Sequence, residues 1–332
     1  LAGARTAFVD IHDVDRLSEG TERPRSSIES ITTQVKPDRT IVRIPLSQRL
    51  PYTISELDSP PRLDLRIYGA EPDTWWVTRH HTDRTLQTLR HDVTPEGAYR
   101  LLLGLQHAHW GYLAYYEENT LCLDINSPPS VPQAGKGRLA GLVVAIDPGH
   151  GGSNRGARAP TGVYEKAINR KLCDRLQKQL RSIGAETIML RQGDETVSLQ
   201  DRVDRARRGG AHILLSVHNN SIGNTSDPMA TRGTSTYYYH PHSERLSRTI
   251  YDELIEVPEV EPWGHIGEFD FTPIRSSTDM IGVLVECLFV SHPGDEEIVL
   301  SEKGEEGIVS GIVNGLVRFL QKSERNHIGP EE

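Results

Sequence analysis

Four apolar runs in the second half of the chain, "LVVAIDP" (142–148), "ETIMLR" (186–191), "HILLSVH" (212–218) and "GVLVECLFV" (282–290), alternate with segments of helical periodicity. In the first of these, "EKAINRKLCDRLQKQLRSIG" (165–184), Ile168, Leu172, Leu176, Leu180 and Ile183 recur along one helix face, and Gly184 closes the helix. "SLQDRVDRARRGG" (198–210) predicts a second helix with Ser198 as N-cap, "SERLSRTIYDELI" (243–255) a third, and residues 302–321 a last one. "TSTYYYH" (234–240) adds a strand. Buried strands alternating with amphipathic helices predict an α/β domain: a largely parallel or mixed central sheet flanked by helices on both faces. Ligands of such sheets bind beyond the carboxyl ends of the strands.

Upstream the period changes. Segments 39–46, 62–70, 74–80, 98–106, 111–118 and 120–126 mostly alternate apolar and polar residues between Pro, Gly, Asp or Asn. They predict a smaller all-β module over 1–126, with the first 35 or so residues polar and irregular. "SPPSVPQAGKGR" (127–138) carries three prolines and two glycines and reads as a linker. The α/β domain then covers 139–322, and 323–332 form a polar tail. A length of 332 residues gives both parts enough chain for a core.

The formal net charge of −9 opposes the basic footprint that nucleic acid requires, and no apolar run is long enough to span a bilayer. Cys122, Cys173 and Cys287 are too scattered for a disulfide framework and read as buried free thiols. His80, His81, His107 and His109 read as solvated or packing residues rather than a metal set, since strand alternation sends His80 and His81 to opposite faces. The opening "LAGARTAFVD" has neither methionine nor an export signal, so a fragment or a processed form is expected.

Candidate chemistry collects at one rim of the α/β domain. His150 follows the first strand inside "DPGHGG", His218 ends "HILLSVH", Glu286 interrupts "GVLVECLFV", and Glu165 opens the first helix from the same edge. Two imidazoles and a carboxylate, with a second carboxylate apart, are the parts of a mononuclear zinc hydrolase. His150, Glu165 and His218 would hold Zn2+ and leave a position for water, with Glu286 beside it as general base and acid. Gly149, Gly151 and Gly152 would allow the tight turn and close approach around His150. On residues alone the ordinary readings stay open: a loop histidine as polar surface, and a glutamate serving the helix dipole. Separations of 15 and 68 residues match no short metal motif. The strongest independent sign is Glu286, a charge in an apolar strand that is costly unless paired or functional. A phosphate-binding loop fits less well, because "DPGHGGSNRGA" follows neither glycine-rich pattern.

From "VVAIDPGHGG" through "YEKAINRKLCDRLQKQLRSIGAETIMLRQGDETVSLQDRV" and "ILLSVHNN" to "GVLVECLFVSHPGDEEIVL", the chain resembles the zinc-dependent N-acetylmuramoyl-L-alanine amidases of bacterial autolysins and cell-division enzymes. The resemblance covers about 141–321. It implies that His150, Glu165 and His218 are the zinc ligands and that Glu286 is the catalytic carboxylate. The substrate it implies is peptidoglycan, cut between the lactyl group of N-acetylmuramic acid and L-alanine of the stem peptide. It further implies action as a secreted, cell-envelope or periplasmic protein. Asn220 and Arg191 are candidate substrate residues, although Arg191 and Arg202 equally suit structural pairing at a helix–strand junction.

Two rival functions remain in view: a zinc peptidase acting within the stem peptide, and a non-catalytic wall-binding protein with a relic site. The chain departs from the family pattern at Asn219, where alanine is common, and at Cys287. Between His218 and the next strand only 219–233 intervene, so no autoinhibitory helix is predicted over the site. The segment "WGYLAYYEENTLCLDINSPP" (110–129) is similar to the β-rich accessory modules, including the AMIN type, that precede this catalytic domain in some amidases. Trp75, Trp76, Trp110 and Tyr112 would stack on sugars there or, as is commoner in a small β module, pack the core.

Overall fold

The computed structural model describes residues 22–131, 137–223 and 226–325. Most of the first segment predicted to be irregular, residues 132–136 of the predicted linker and residues 326–332 of the predicted tail lie outside them. The chain divides into two compact units, 1–106 with 114–124, and 107–113 with 125–332.

The first unit is built from strands β1 (Ser26–Val35), β2 (Arg39–Pro45), β3 (Tyr52–Asp58), β4 (Pro61–Ile67), β5 (Ala70–Val77), β6 (Leu86–Val93) and β7 (Tyr99–Leu105), with most of β8 (Tyr112–Glu117) and β9 (Thr120–Asn126). They form a five-stranded sheet in the order β5-β1-β2-β9-β8 and a four-stranded sheet in the order β3-β4-β7-β6. Period-2 burial runs along β4 and β7, where Leu63, Leu65 and Ile67 and then Leu101, Leu103 and Leu105 turn inward.

Two expectations are corrected here. Ser26–Val35 is a ten-residue strand rather than irregular chain. Its Ser and Thr residues mask the pattern, but Ile28 and Ile31 are fully buried, and β-branched Thr suits a pleated surface. Trp75 and Trp76 are not core residues: they are 72% and 55% exposed on β5, an edge strand. Trp110 and Tyr112 are buried as the packing reading expects. His80 and His81 are exposed just past the end of β5.

The second unit carries a six-stranded sheet in the order β11-β10-β12-β15-β13-β14, from β10 (Val143–Pro148), β11 (Glu186–Met189), β12 (Ile213–Asn220), β13 (Thr234–Tyr237), β14 (Pro262–Ile266) and β15 (Ile281–Phe289). Strands β11, β10, β12 and β15 are parallel in sequence of pairing, and β13 runs antiparallel to β15. The helices are α1 (Glu165–Ser182), α2 (Leu199–Arg208), α3 (Glu244–Leu254), α4 (Thr272–Arg275), α5 (Pro293–Leu300) and α6 (Glu302–Arg325). Helix α6 thus continues past the predicted boundary at 322.

Alternate side chains of each central strand enter opposite cores. Val144 and Ile146 of β10 and Ile213, Leu215 and Val217 of β12 pack with Leu172, Leu176 and Leu180 of α1, Leu246 and Ile250 of α3, and Ile312 and Leu316 of α6. Ala145 and Leu214, between them in sequence, face Ala206 of α2. Trp110, from the 107–113 segment, joins the larger core at 5.5 Å between ring centroids from Phe319. Gly111 beside it has φ +104°, and a Cβ there would lie 2.4 Å from the Asp279 carbonyl carbon, so the close approach needs glycine. Among the described residues, no helix is long and apolar enough to cross a membrane.

Candidate active site

Strand β10 delivers the chain to the rim and turns sharply. His150 itself takes a left-handed φ of +64°, followed by Gly151 at +130° and Gly152 at +57°. Gly149 serves a different purpose: a Cβ there would lie 2.3 Å from Cε1 of His218. The missing side chain lets β10 and β12 bring their two imidazoles together, with ring centroids 4.9 Å apart. Gly156 does the same from the following loop, where a Cβ would meet Glu165 Oε2 at 2.4 Å and His150 Cδ2 at 2.6 Å.

Glu165, the first residue of α1, is buried between the two histidines. His150 Nε2 lies 2.9 Å from Glu165 Oε2, and His218 Nδ1 lies 3.2 Å from Glu165 Oε1. One donor atom from each of the three residues falls within 4.8 Å of the others. Ligands about 2.0–2.2 Å from a shared tetrahedral zinc ion sit roughly 3.3 Å apart. The spacing and the two-nitrogen, one-oxygen donor set therefore fit zinc.

Neighbouring groups fix the state of each ligand. Asn154 Oδ1 accepts from Gly156 N at 3.3 Å and lies 2.9 Å from His150 Nδ1, so it is an acceptor facing a protonated Nδ1. That tautomer turns the Nε2 lone pair towards the centre of the site. Glu165 Oε2 accepts from Ala157 N at 2.9 Å; Oε1 accepts from Asn219 N at 3.1 Å and from Asn169 Nδ2 at 3.1 Å. Burial opposes the charge of Glu165, but its hydrogen bonds with His150 and His218 win and hold it well below the usual carboxylate range. For His150, burial pulls the value down, and Glu165's hydrogen bond and charge outweigh it, so the net shift is upward.

Glu286 faces the set from β15, in register with His218 on β12. Its Oε2 is buried without a hydrogen-bond partner among the described residues. Burial, then the charge of Glu165, push its carboxyl well above the ordinary value. Between His218 and Asn220 the β12–β15 register slips, and this irregularity lets both His218 and the Asn219 backbone N–H reach Glu165.

The four residues predicted as ligands and acid–base group thus lie together around a cavity of about 510 Å3, with Asn220 at its edge. Arg191 does not line this cavity. It is 1% exposed, and its guanidinium donates to the carbonyls of Pro148, Gly193 and Lys166, a structural post under the loop. Arg202 pairs with Asp147 and donates to the carbonyls of Pro148 at 2.9 Å and His150 at 2.6 Å, so it holds the same loop.

Sequence reasoning missed Asn169 and the aromatic pair Phe269 and Phe271. Asn169 is fully buried one turn after Glu165, a polar residue on the apolar face of α1, and that position was the available signal. Phe271 meets the His218 ring edge-on at 5.9 Å, and Phe269 is 38% exposed at the cavity. They sit in an irregular segment after β14 that carries no periodicity.

A mainly parallel sheet with two imidazoles and two carboxylates gathered at its strand ends defines the class as a hydrolytic α/β enzyme domain. The family follows from comparison with known proteins: residues 144–318, just over half the chain, match the N-acetylmuramoyl-L-alanine amidase family, and the chain belongs to it. It is similar to the uncharacterized protein YqiI of Bacillus subtilis, at 31% identity over 55% of this chain and 87% of that protein. It is also similar to the probable cell wall amidase LytH of Staphylococcus epidermidis, at 30% identity over 55% of this chain and only 60% of that one. Among solved structures, the N-acetylmuramoyl-L-alanine amidase AmiC2 of Nostoc punctiforme is 26% identical with a TM-score of 0.51, over 58% of this chain and 99% of that one.

Proposed function

We propose that the protein hydrolyses the amide between the lactyl group of N-acetylmuramic acid and L-alanine of the peptidoglycan stem peptide, and that it acts outside the cytoplasm, at the cell envelope. The observation that carries this reading is the convergence of His150, Glu165 and His218, with donor atoms within 4.8 Å, beside Glu286, whose buried Oε2 has no hydrogen-bond partner among the described residues. Family membership supports the bond class, and the cell wall amidases among the relatives support the location.

His150, Glu165 and His218 would hold Zn2+. The chemistry a bound Zn2+ supplies is polarisation of the scissile carbonyl and acidification of water. Glu165 contributes a full carboxylate, because its hydrogen-bond partners hold it ionised. Asn154 fixes the tautomer of His150, while Asn169 and the Asn219 backbone orient Glu165. Glu286 takes the proton of the attacking water on its carboxylate and returns it to the leaving nitrogen, a role suited to a carboxyl whose value burial has raised. Apolar Phe271 and Leu284 border the same cavity.

The test combines metal analysis with identification of the new chain ends. Purified protein loaded with zinc should release intact stem peptides with a free L-alanine amine and leave lactyl-ended glycan, read by mass spectrometry. Cuts within the stem peptide instead would establish a peptidase. His218→Ala should lose both metal and activity, and an active His218→Ala protein would refute the ligand set.

A further inference from the structure

Two cations stand beside the site without an acidic partner. Arg155 follows Asn154, a wall residue of the cavity, and Arg158 lies in the same loop. Both are exposed, and neither has a carboxylate within ion-pairing distance among the described residues. Their guanidiniums share one ring: Arg155 lies 5.0 Å and Arg158 5.9 Å from the centroid of Tyr164, and Arg155 Nη1 donates to the Tyr164 hydroxyl at 3.1 Å. The ring attracts each cation without neutralising it. The loop backbone holds this platform. Arg158 bridges Tyr164 antiparallel, Ala159 N donates to Val163 O at 2.9 Å, and Gly162 N donates to Ala159 O at 2.8 Å. Gly162, with φ +94°, leaves room for Arg158, since a Cβ there would lie 3.3 Å from Nη2. At the tip, Thr161 N donates to the buried carboxylate of Glu296 on α5 at 3.0 Å. Glu165 N donates to Ala157 O at 2.8 Å, so the two arginines and a predicted zinc ligand belong to one hydrogen-bonded loop.

The neighbouring cation Lys166 differs from them, being paired with Asp194 and donating to Gly152 O at 2.9 Å. Arg155 and Arg158 therefore form a local positive patch on a chain of net charge −9. Two like charges over one ring favour an anion, and the guanidinium fork matches a carboxylate. On the glycan side of the scissile bond the substrate offers uncharged sugar rings, whereas a stem peptide ends in a carboxylate. From Glu165 to Tyr164 is one residue, about 3.8 Å between Cα atoms. A few extended peptide residues, at about 3.3 Å each, cover the path from the metal-ligand set to the guanidiniums. We propose that Arg155 and Arg158, displayed on Tyr164, bind a free carboxylate of the stem peptide and make the enzyme selective for an acidic over an amidated peptide. The inference rests on the amidase reading and adds a charge-selective subsite to it.

The experiment uses the zinc-loaded full chain and muramoyl peptides whose carboxylates are converted one at a time to neutral amides. Wild type should lose about three- to thirtyfold in kcat/KM on one amidated peptide, the size of two exposed ion pairs, through KM rather than kcat. Added salt should shrink that difference. Arg155→Gln combined with Arg158→Gln should show the same loss on the free acid and no further loss on that amide, with zinc content and melting temperature unchanged. Equal losses by this double variant on acid and amide, or wild type that does not distinguish the two, would overturn the proposal. If the double variant fails to fold, each single variant carries the same comparison, and equal losses there overturn it. Wild type that cleaves no muramoyl peptide would instead refute the amidase reading itself.

Discussion

Gly149→Ala tests the site through a single methyl group. The added Cβ would lie 2.3 Å from His218 Cε1 and 2.5 Å from both ring nitrogens, whereas ordinary contact begins at 3.4 Å. The difference, 3.4 − 2.3, requires a retreat of about 1.1 Å by the ring or by the backbone of β10. Contacts oppose it on both sides. The ring is bounded by Glu165 at 3.2 Å and by the edge-on Phe271, while Gly149 N donates to Val217 O at 2.9 Å. No backbone strain confuses the result, because Gly149 is absent from the left-handed positions. Overpacking of this kind costs about 1–3 kcal/mol of stability. Displacing a catalytic group by about 1 Å costs on the order of 100-fold in rate. The expected outcome is a folded protein with weakened zinc binding and a kcat/KM on muramoyl peptide down about 100-fold. Gly193→Ala, where a Cβ meets nothing within 4 Å, should leave all three readings unchanged. Wild-type metal content and activity in Gly149→Ala would refute the close approach of the two histidine strands.

Four further outcomes follow from the structure. Glu286→Gln should keep zinc and lose at least about 100-fold in kcat, the usual share of a general base, as read by metal analysis and muropeptide turnover. In metal-stripped protein, burial and then the charge of Glu165 raise Glu286 above 4.5, so the stability this group contributes is complete below about pH 4.5 and lost as pH rises through the raised value. Glu286→Gln should flatten that slope in urea titrations. Asn169→Ala removes a donor to Glu165 and to Gly149, and zinc affinity measured by chelator competition should fall about 10- to 100-fold. His265, on β14, is pulled down to about 4 by burial and then by the nearby charge of Arg248. Between about pH 4 and 6.5 the unfolded chain binds the proton that the folded chain refuses, so stability is complete above 6.5 and falls on acidification. After allowance for solvent reaching the half-buried ring, wild type should lose about 1–2 kcal/mol more than His265→Phe across that window.

The α/β layering was legible because each central strand carries apolar residues on both faces and each helix on one. Val144 and Ala145 enter opposite cores, and a run such as "LVVAID" reports that directly. The first strand was illegible for the opposite reason: six of the ten residues of Ser26–Val35 are Ser, Thr or Gln, and its pairing with β2 on one side and β5 on the other makes it a strand. Trp110 shows the limit of local pattern at a boundary. It lies in a stretch that reads as the end of the β module, yet its ring is buried beside Phe319, more than 200 residues later, a contact no local window contains.

The site divides along the same line. His150, Glu165, His218 and Glu286 could be found because the topology of a parallel sheet brings strand ends and helix starts to one rim, which made them candidates, and the family resemblance then gave them roles. What holds them is less visible. Arg191 and Arg202 are both long cations in polar stretches, and sequence gives them the same two readings, substrate or structure. Their surroundings decide. The guanidinium of Arg191 is fully enclosed by backbone carbonyls, and that of Arg202 by Asp147 and the carbonyls of Pro148 and His150. Both therefore fix the carbonyl side of the loop whose other side presents His150 Nε2. The strained turn at His150, with its left-handed φ, persists because two buried arginines hold it from beneath. Loosening that hold should move the ligand without touching it: Arg202→Met, which keeps the bulk but removes the donors, should leave Asp147 unpaired, cost about 3–5 kcal/mol, and lower zinc affinity in the fraction that still folds. Chemical denaturation and chelator competition on the same preparation measure both effects, and a stable Arg202→Met protein with wild-type zinc affinity would refute the arginine's hold on the loop.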